Sequence, residues 1–262
     1  MFKAAVLVLF SFMLVLSGTT VSGAEQKTKE LEIQELFNGK EGTMVLKNLK
    51  TDKTYVYNQK RSTKRLTPES TFKVANALMG LQTNAVRDEY EVKRWDGVVR
   101  EFETWNRDHS LASAMRESAI WFYQDMARDI GETRMQEYIN RMEYGNKDIS
   151  GGIDLFWLDS SLKISAVEQV DFIERLVHEK LPFGEKHQKT VKRMMIQDDE
   201  DTYTLHGKTG TRLSDLGLGW YIGFVETKKD TWAFAVNING SGTEAKEIAI
   251  KTLSQQNIIK IE

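Results

Sequence analysis

Thr67-Pro-Glu-Ser-Thr-Phe-Lys73 opens the helical middle of the chain, and its reading governs what the rest can be. Thr67 is a natural N-cap, Pro68 suits the first helical position, and Glu69 favours the positive end of the helix dipole. Ser70 then falls in a first turn, where backbone N–H groups lack intrahelical partners. Its own amide is therefore free to donate to an oxyanion formed when its hydroxyl attacks a carbonyl. Lys73 follows on the same helical face, within reach of the Ser70 oxygen. Phe72, Val74, Ala75, Leu78 and Met79 would keep water from it, and a desolvated lysine gives up its proton more easily. A neutral amine can accept the hydroxyl proton; an ammonium cannot. The spacing alone is not distinctive, because Ser160-Ser-Leu-Lys163 repeats it. Its meaning depends on the rest of the chain.

Upstream, Thr43-Met-Val-Leu-Lys-Asn-Leu49 and Thr54-Tyr-Val-Tyr-Asn58 read as two strands around Thr51-Asp52-Lys53, a candidate hairpin. Residues 25–37 are charged and read as a short helix or an approach to the fold. Between about residues 67 and 200 the pattern is mostly helical. Apolar residues recur at spacings of three and four through 72–80, 112–129 and 165–177, with loops at Asn106-Arg-Asp-His109, Tyr144-Gly-Asn146 and Ser150-Gly-Gly152. Three β-rich stretches follow, near Tyr203–Gly210, Leu218–Val225 and Thr231–Ile238, then a helical pattern from about Thr243 to Gln255. This order predicts an α+β fold in which both chain ends share one antiparallel sheet and a largely helical middle packs against it.

Composition narrows the chemistry. The 262 residues are 40% hydrophobic, enough for a sizeable core, and 36 basic against 38 acidic side chains offer no pull towards nucleic acid. Cysteine is absent, which removes disulfides, thiolate metal sites and cysteine nucleophiles. His109, His178, His187 and His206 make no zinc-like pattern, and Asp198-Asp-Glu-Asp201 reads as a solvated turn rather than a calcium loop. Trp95, Trp105, Trp121 and Tyr123 read as core or interface aromatics rather than a sugar platform. At the N-terminus, Ala4–Leu16 is apolar except for Ser11, too short to span a bilayer comfortably and of signal-segment length. Ser22-Gly23-Ala24 then offers small residues for a peptidase. Residues 1–24 are thus expected to be a signal peptide, with an uncleaved anchor as the alternative, and 25–262 a single domain working outside the cytoplasm.

Two further stretches change the weight of Ser70 and Lys73. Gly207-Lys208-Thr209-Gly210-Thr211 lies in a β-rich stretch where glycines permit close approach and lysine and threonine offer a charge and a hydroxyl, as on a substrate-binding edge strand. Ser118-Ala119-Ile120 sits in the helical middle, between the other two in chain order. In carrying Ser-x-x-Lys, a second serine element and Lys-Thr-Gly in that order, the chain resembles class A β-lactamases and penicillin-binding proteins, in which each supplies a separate part of one acyl-transfer site. With Tyr144-Gly-Asn146, Phe156-Trp-Leu158 and Leu162-Lys-Ile-Ser-Ala166, these elements cover roughly residues 42 to 260. The chain resembles the class D, oxacillinase-type serine β-lactamases, including their Bacillus-like Gram-positive members.

The resemblance implies a serine β-lactamase/penicillin-binding-protein-like fold and hydrolysis of penicillin-type antibiotics through a Ser70 acyl-enzyme. It implies that Lys73 reacts with carbon dioxide, from bicarbonate, to give an N-carboxylate that serves as general base, with Trp157 donating its indole N–H to that group. No metal or organic cofactor is expected. Ser118 would pass a proton to the β-lactam nitrogen, Lys208 and Thr209 of Lys208-Thr-Gly210 would hold the substrate carboxylate, and the Thr211 amide would complete the oxyanion hole. Two positions depart from the family pattern. Ile120 stands where the family has a smaller valine and would narrow the path of carbon dioxide or water. The family's carboxylate-binding arginine has no obvious counterpart after Asn237-Ile-Asn-Gly240, where Lys246 is the nearest candidate. The expected partner is a small β-lactam, with no nucleic acid or stable membrane partner; the oligomeric state stays open. A penicillin sensor, or a D-alanyl-D-alanine peptidase that deacylates slowly, is the alternative.

Overall fold

The longest strands form where β-branched and aromatic residues cluster, towards the two ends of the chain. A computed structural model describes residues 28–260, so the expected signal peptide lies outside the described residues. From the N-terminal part come β1 (Lys29–Glu30), β2 (Gly42–Asn48), β3 (Lys53–Tyr57), α1 (Gln59–Ser62) and α2 (Lys73–Gln82). A small ribbon of β4 (Val92–Lys93) and β5 (His109–Ser110) precedes α3 (Leu111–Glu117), α4 (Ile120–Ile130), α5 (Glu132–Met142), α6 (Ala166–Val177) and α7 (Glu185–Met194). The C-terminal part adds β6 (Ile196–Glu200), β7 (Tyr203–Thr211), β8 (Gly219–Thr227), β9 (Thr231–Ile238) and α8 (Gly242–Gln255).

The sheet order is β1-β3-β2-β9-β8-β7-β6, so the two chain ends meet where β2 pairs antiparallel with β9, from Gly42 opposite Ile238 to Asn48 opposite Trp232. The α+β expectation holds, with one addition: β1 runs parallel to β3, which makes the sheet mixed at that edge. Alternation along β9 explains why both faces are covered. Phe234 and Val236 pack with Ala249 and Leu253 of α8, whereas Ala233 and Ala235 face the helical middle with Phe72, Leu78 and Phe172. The helical layer is thereby pressed onto one face, and the turn before α2 is brought against β7.

Three local expectations change. Thr67 does not cap a helix, because its hydroxyl donates to the Glu69 carboxylate at 2.6 Å, and Ser70 lies in a 3₁₀ turn, Glu69–Phe72, with α2 starting only at Lys73. The helical pattern of 112–129 is broken into α3 and α4 by Ser118, whose left-handed φ of 57° ends α3. Finally, Asp198-Asp-Glu-Asp201 is mostly strand: Asp198 accepts a hydrogen bond from the Tyr203 hydroxyl and Asp199 one from Thr204, across the β6–β7 pair.

Candidate active site

The 3₁₀ turn, the Ser118 break and the C-terminal half of β7 converge on one cleft of about 160 Å³. Ser70, Ser118, Ile120, Thr209, Gly210 and Thr211 line it, together with Phe102, Thr104, Trp105, Glu117 and Leu213. Trp105 is therefore a cleft residue rather than only a core aromatic.

Lys73 Nζ stands 2.7 Å from Ser70 Oγ. Lys73 has no solvent exposure, and Phe72, Val74, Ala75, Leu78 and Met79 beside it are equally closed off. Burial pushes its pKa well below that of an ordinary lysine, the positive charge of Lys208 pushes the same way, and Glu69 acts against both. Trp157, also fully buried, stacks on Phe72 with ring centroids 5.5 Å apart, and its indole Nε1 has no hydrogen-bond partner. A buried donor left unpaired is costly, so this atom marks a place for an acceptor beside the Lys73 turn.

Across the cleft, Lys208 Nζ donates to Ser118 Oγ at 3.1 Å and to the Thr209 carbonyl at 3.0 Å. Burial, then the charge of Lys246, lowers the Lys208 pKa to about 7. β7 is not itself the sheet edge, since β6 pairs with its first half, but β6 pairing stops at His206 and frees the strand from Lys208 onward on that side. The ladder fixes which amides face the free side. Gly207 N–H bonds outward to Met195, and Arg212 N–H bonds inward to Leu218, so by alternation the amides of Thr209 and Thr211 point away from β8. Gly210 packs against the serine turn. A Cβ there would lie 3.2 Å from the Ser70 amide nitrogen and 3.1 Å from the Pro68 carbonyl, so a side chain would crowd the serine turn.

Lys246 is not brought into the cleft. Its Nζ donates to Gln197 on β6 at 3.1 Å, and it acts on the site only through its charge on Lys208. Tyr144-Gly-Asn146 does not line the cleft either. Asn146 ties its loop to the stretch after Trp157, donating from its backbone N–H to Lys163 O (2.9 Å) and accepting from Lys163 N (2.8 Å). Glu69, which the sequence presents only as a favourable first-turn charge, is 2% exposed, and burial raises its carboxyl to about 7. Among the described residues no group of three or more His, Asp or Glu side chains is placed to hold a metal ion.

Residues 36–260 match the penicillin binding protein transpeptidase domain. The chain is 56% identical over 241 residues to the probable β-lactamase YbxI of Bacillus subtilis (strain 168), covering 91% of this chain and 90% of that one. It is 40% identical over 225 residues to β-lactamase OXA-48 of Klebsiella pneumoniae, covering 84% of each. A crystal structure of a class D β-lactamase from Bacillus subtilis superposes with a TM-score of 0.87 at 57% identity, over 88% of this chain and 98% of that one. The family match spans the serine turn, the helical middle and the Lys-Thr-Gly strand, and the chain belongs to the class D β-lactamase family.

Proposed function

We propose that the protein hydrolyses the β-lactam amide of penicillin-type antibiotics through an acyl-enzyme on Ser70 and so contributes to antibiotic resistance. One observation carries the reading: a fully buried lysine, its charge disfavoured, 2.7 Å from the Ser70 hydroxyl.

In acylation the Ser70 oxygen attacks the lactam carbonyl and loses its proton towards Lys73. The developing oxyanion meets the amides of Ser70 and Thr211. Ser118 gives its hydroxyl proton to the lactam nitrogen as the C–N bond breaks, and the neighbouring Lys208 ammonium is suited to resupply it. Lys208 and Thr209 hold the substrate carboxylate, and Ile120 limits the space beside the reacting carbonyl. A neutral, desolvated amine is also the form of lysine that captures carbon dioxide, and the resulting carboxylate supplies an anionic base for both acylation and deacylation. Lys73 would hold that group, with Trp157 Nε1 as its buried donor; the absence of any other partner for that atom supports the fit. Release of the acyl group from Ser70 by water completes the cycle. Residues 1–24 are proposed as an export signal and 25–262 as the working domain, on the strength of the apolar run Ala4–Leu16.

The test is intact-protein mass spectrometry after mixing with excess benzylpenicillin, with and without bicarbonate. Addition of one drug mass followed by rapid return of the free protein, faster with bicarbonate, is expected. A permanent adduct would make the protein a sensor and overturn hydrolysis.

A further inference from the structure

Glu69 precedes the nucleophile, is buried, and has no part in the steps above. It is held from two directions. Its backbone has a φ of +51°, a conformation a glutamate keeps only when the surroundings enforce it, and its N–H donates to the Trp157 carbonyl at 3.0 Å. Its side-chain Oε1 accepts from the Thr67 hydroxyl at 2.6 Å and from the Asp159 N–H at 3.0 Å. One residue thus grips the two peptide groups on either side of Leu158, in the loop whose Trp157 presents an unpaired indole N–H.

We propose that Glu69 is a positioning residue that fixes the Trp157 loop against the serine turn, aims the indole N–H at the carboxylated Lys73, and so sets how tightly carbon dioxide is held. This rests on the reading of Lys73 as a carboxylated base. The charged groups facing Glu69 are Asp159 and Arg212 from the two flanking loops and Lys73 from α2. Arg212 is engaged by Asp215 at 2.8 Å and by Asp159 at 3.6 Å, so it does not neutralise Glu69 alone. Burial raises the Glu69 carboxyl to about 7. A proton on Oε2 leaves both acceptor bonds of Oε1 in place, so the grip needs an oxygen at that point rather than a charge. Glutamine supplies that oxygen; alanine does not.

The experiment compares Glu69→Ala and Glu69→Gln with the unaltered protein. Carbon-13 NMR under labelled bicarbonate reads the lysine carboxylate, and mass spectrometry reads acylation and release by benzylpenicillin. Glu69→Ala is expected to need roughly tenfold more bicarbonate or greater for half-maximal signal, with release slowed to match, as for lost support of a bound group. Glu69→Gln is expected to stay within about threefold of the unaltered protein. An unchanged bicarbonate requirement in a folded Glu69→Ala, or a Glu69→Gln as impaired as the alanine variant, overturns the proposal. If Glu69→Ala does not fold, Thr67→Val, which removes only the steering hydroxyl, must raise the bicarbonate requirement, and its failure to do so also overturns it. A missing carboxylate signal in the unaltered protein brings down the base assignment and this proposal with it; a normal signal there with an indifferent variant brings down this proposal alone.

Discussion

Lys208 Nζ and Ser118 Oγ lie 3.1 Å apart, which couples a buried cation to the hydroxyl opposite the Ser70–Lys73 pair. With its pKa lowered to about 7 by burial and by Lys246, Lys208 is charged below that pH and loses its charge as pH rises through it. Affinity for the substrate carboxylate should therefore weaken, and KM rise, above about pH 7. Lys246→Gln removes the second cause without touching the cleft, so the rise in KM should move to higher pH. Initial rates across about pH 5 to 9 (roughly two units either side of the Lys208 midpoint) check this; an unmoved profile in Lys246→Gln removes Lys208 as its source.

Lys73→Ala deletes the only base within hydrogen-bonding distance of the Ser70 oxygen among the described residues. Loss of a positioned base costs about 10²–10⁴-fold. Acylation should slow to that extent and the adduct, once formed, should persist for hours in the mass spectrum. Turnover at the unaltered rate would exclude Lys73 from the chemistry.

Trp157→Phe keeps an aromatic ring against Phe72 but deletes the unpaired indole N–H. Removing a buried donor without a partner offsets the loss of ring volume, so stability should change by less than about 1 kcal/mol. The bicarbonate needed for full activity should rise about 10–100-fold. Urea denaturation beside a bicarbonate titration separates the two effects, and an unaltered bicarbonate requirement would exclude the indole as a donor to the carboxylate.

Gly145→Ala tests the support of the Trp157 loop. The residue has φ +53°, and a Cβ there would come within 2.0 Å of the Lys163 carbonyl oxygen. The close approach permits the Asn146–Lys163 pair of hydrogen bonds. Destabilisation by more than about 2 kcal/mol is expected in urea unfolding. A loss below 1 kcal/mol (about the left-handed penalty alone) would mean that the loop gives way.

Much of this was legible because it depends on local pattern. The hairpin of residues 42–57, the helix after Lys73 and the three C-terminal strands announce themselves by periodicity, and Lys73 burial by its apolar neighbours. Other features were hidden because tertiary contacts decide them. Ser118 takes a left-handed conformation that no propensity assigns to serine within an apolar helical run, and Glu69 does so against its own preference. The acidic β6 forms because β7 offers it a ladder, not because its residues favour strand. Trp105 reaches the cleft from a short 3₁₀ turn with no motif of its own, and Lys246 misses it because α8 directs that side chain over Gln197. Spacing names the groups; packing decides which of them meet.

The pairing of β2 with β9 also bears on the order of assembly. On the ribosome the opening hairpin emerges early, yet one long flank of it stays unmatched until residues 231–238 have been translated. A product truncated before residue 231 would leave that flank of the hairpin unpaired, the kind of bare edge that invites association with other strands.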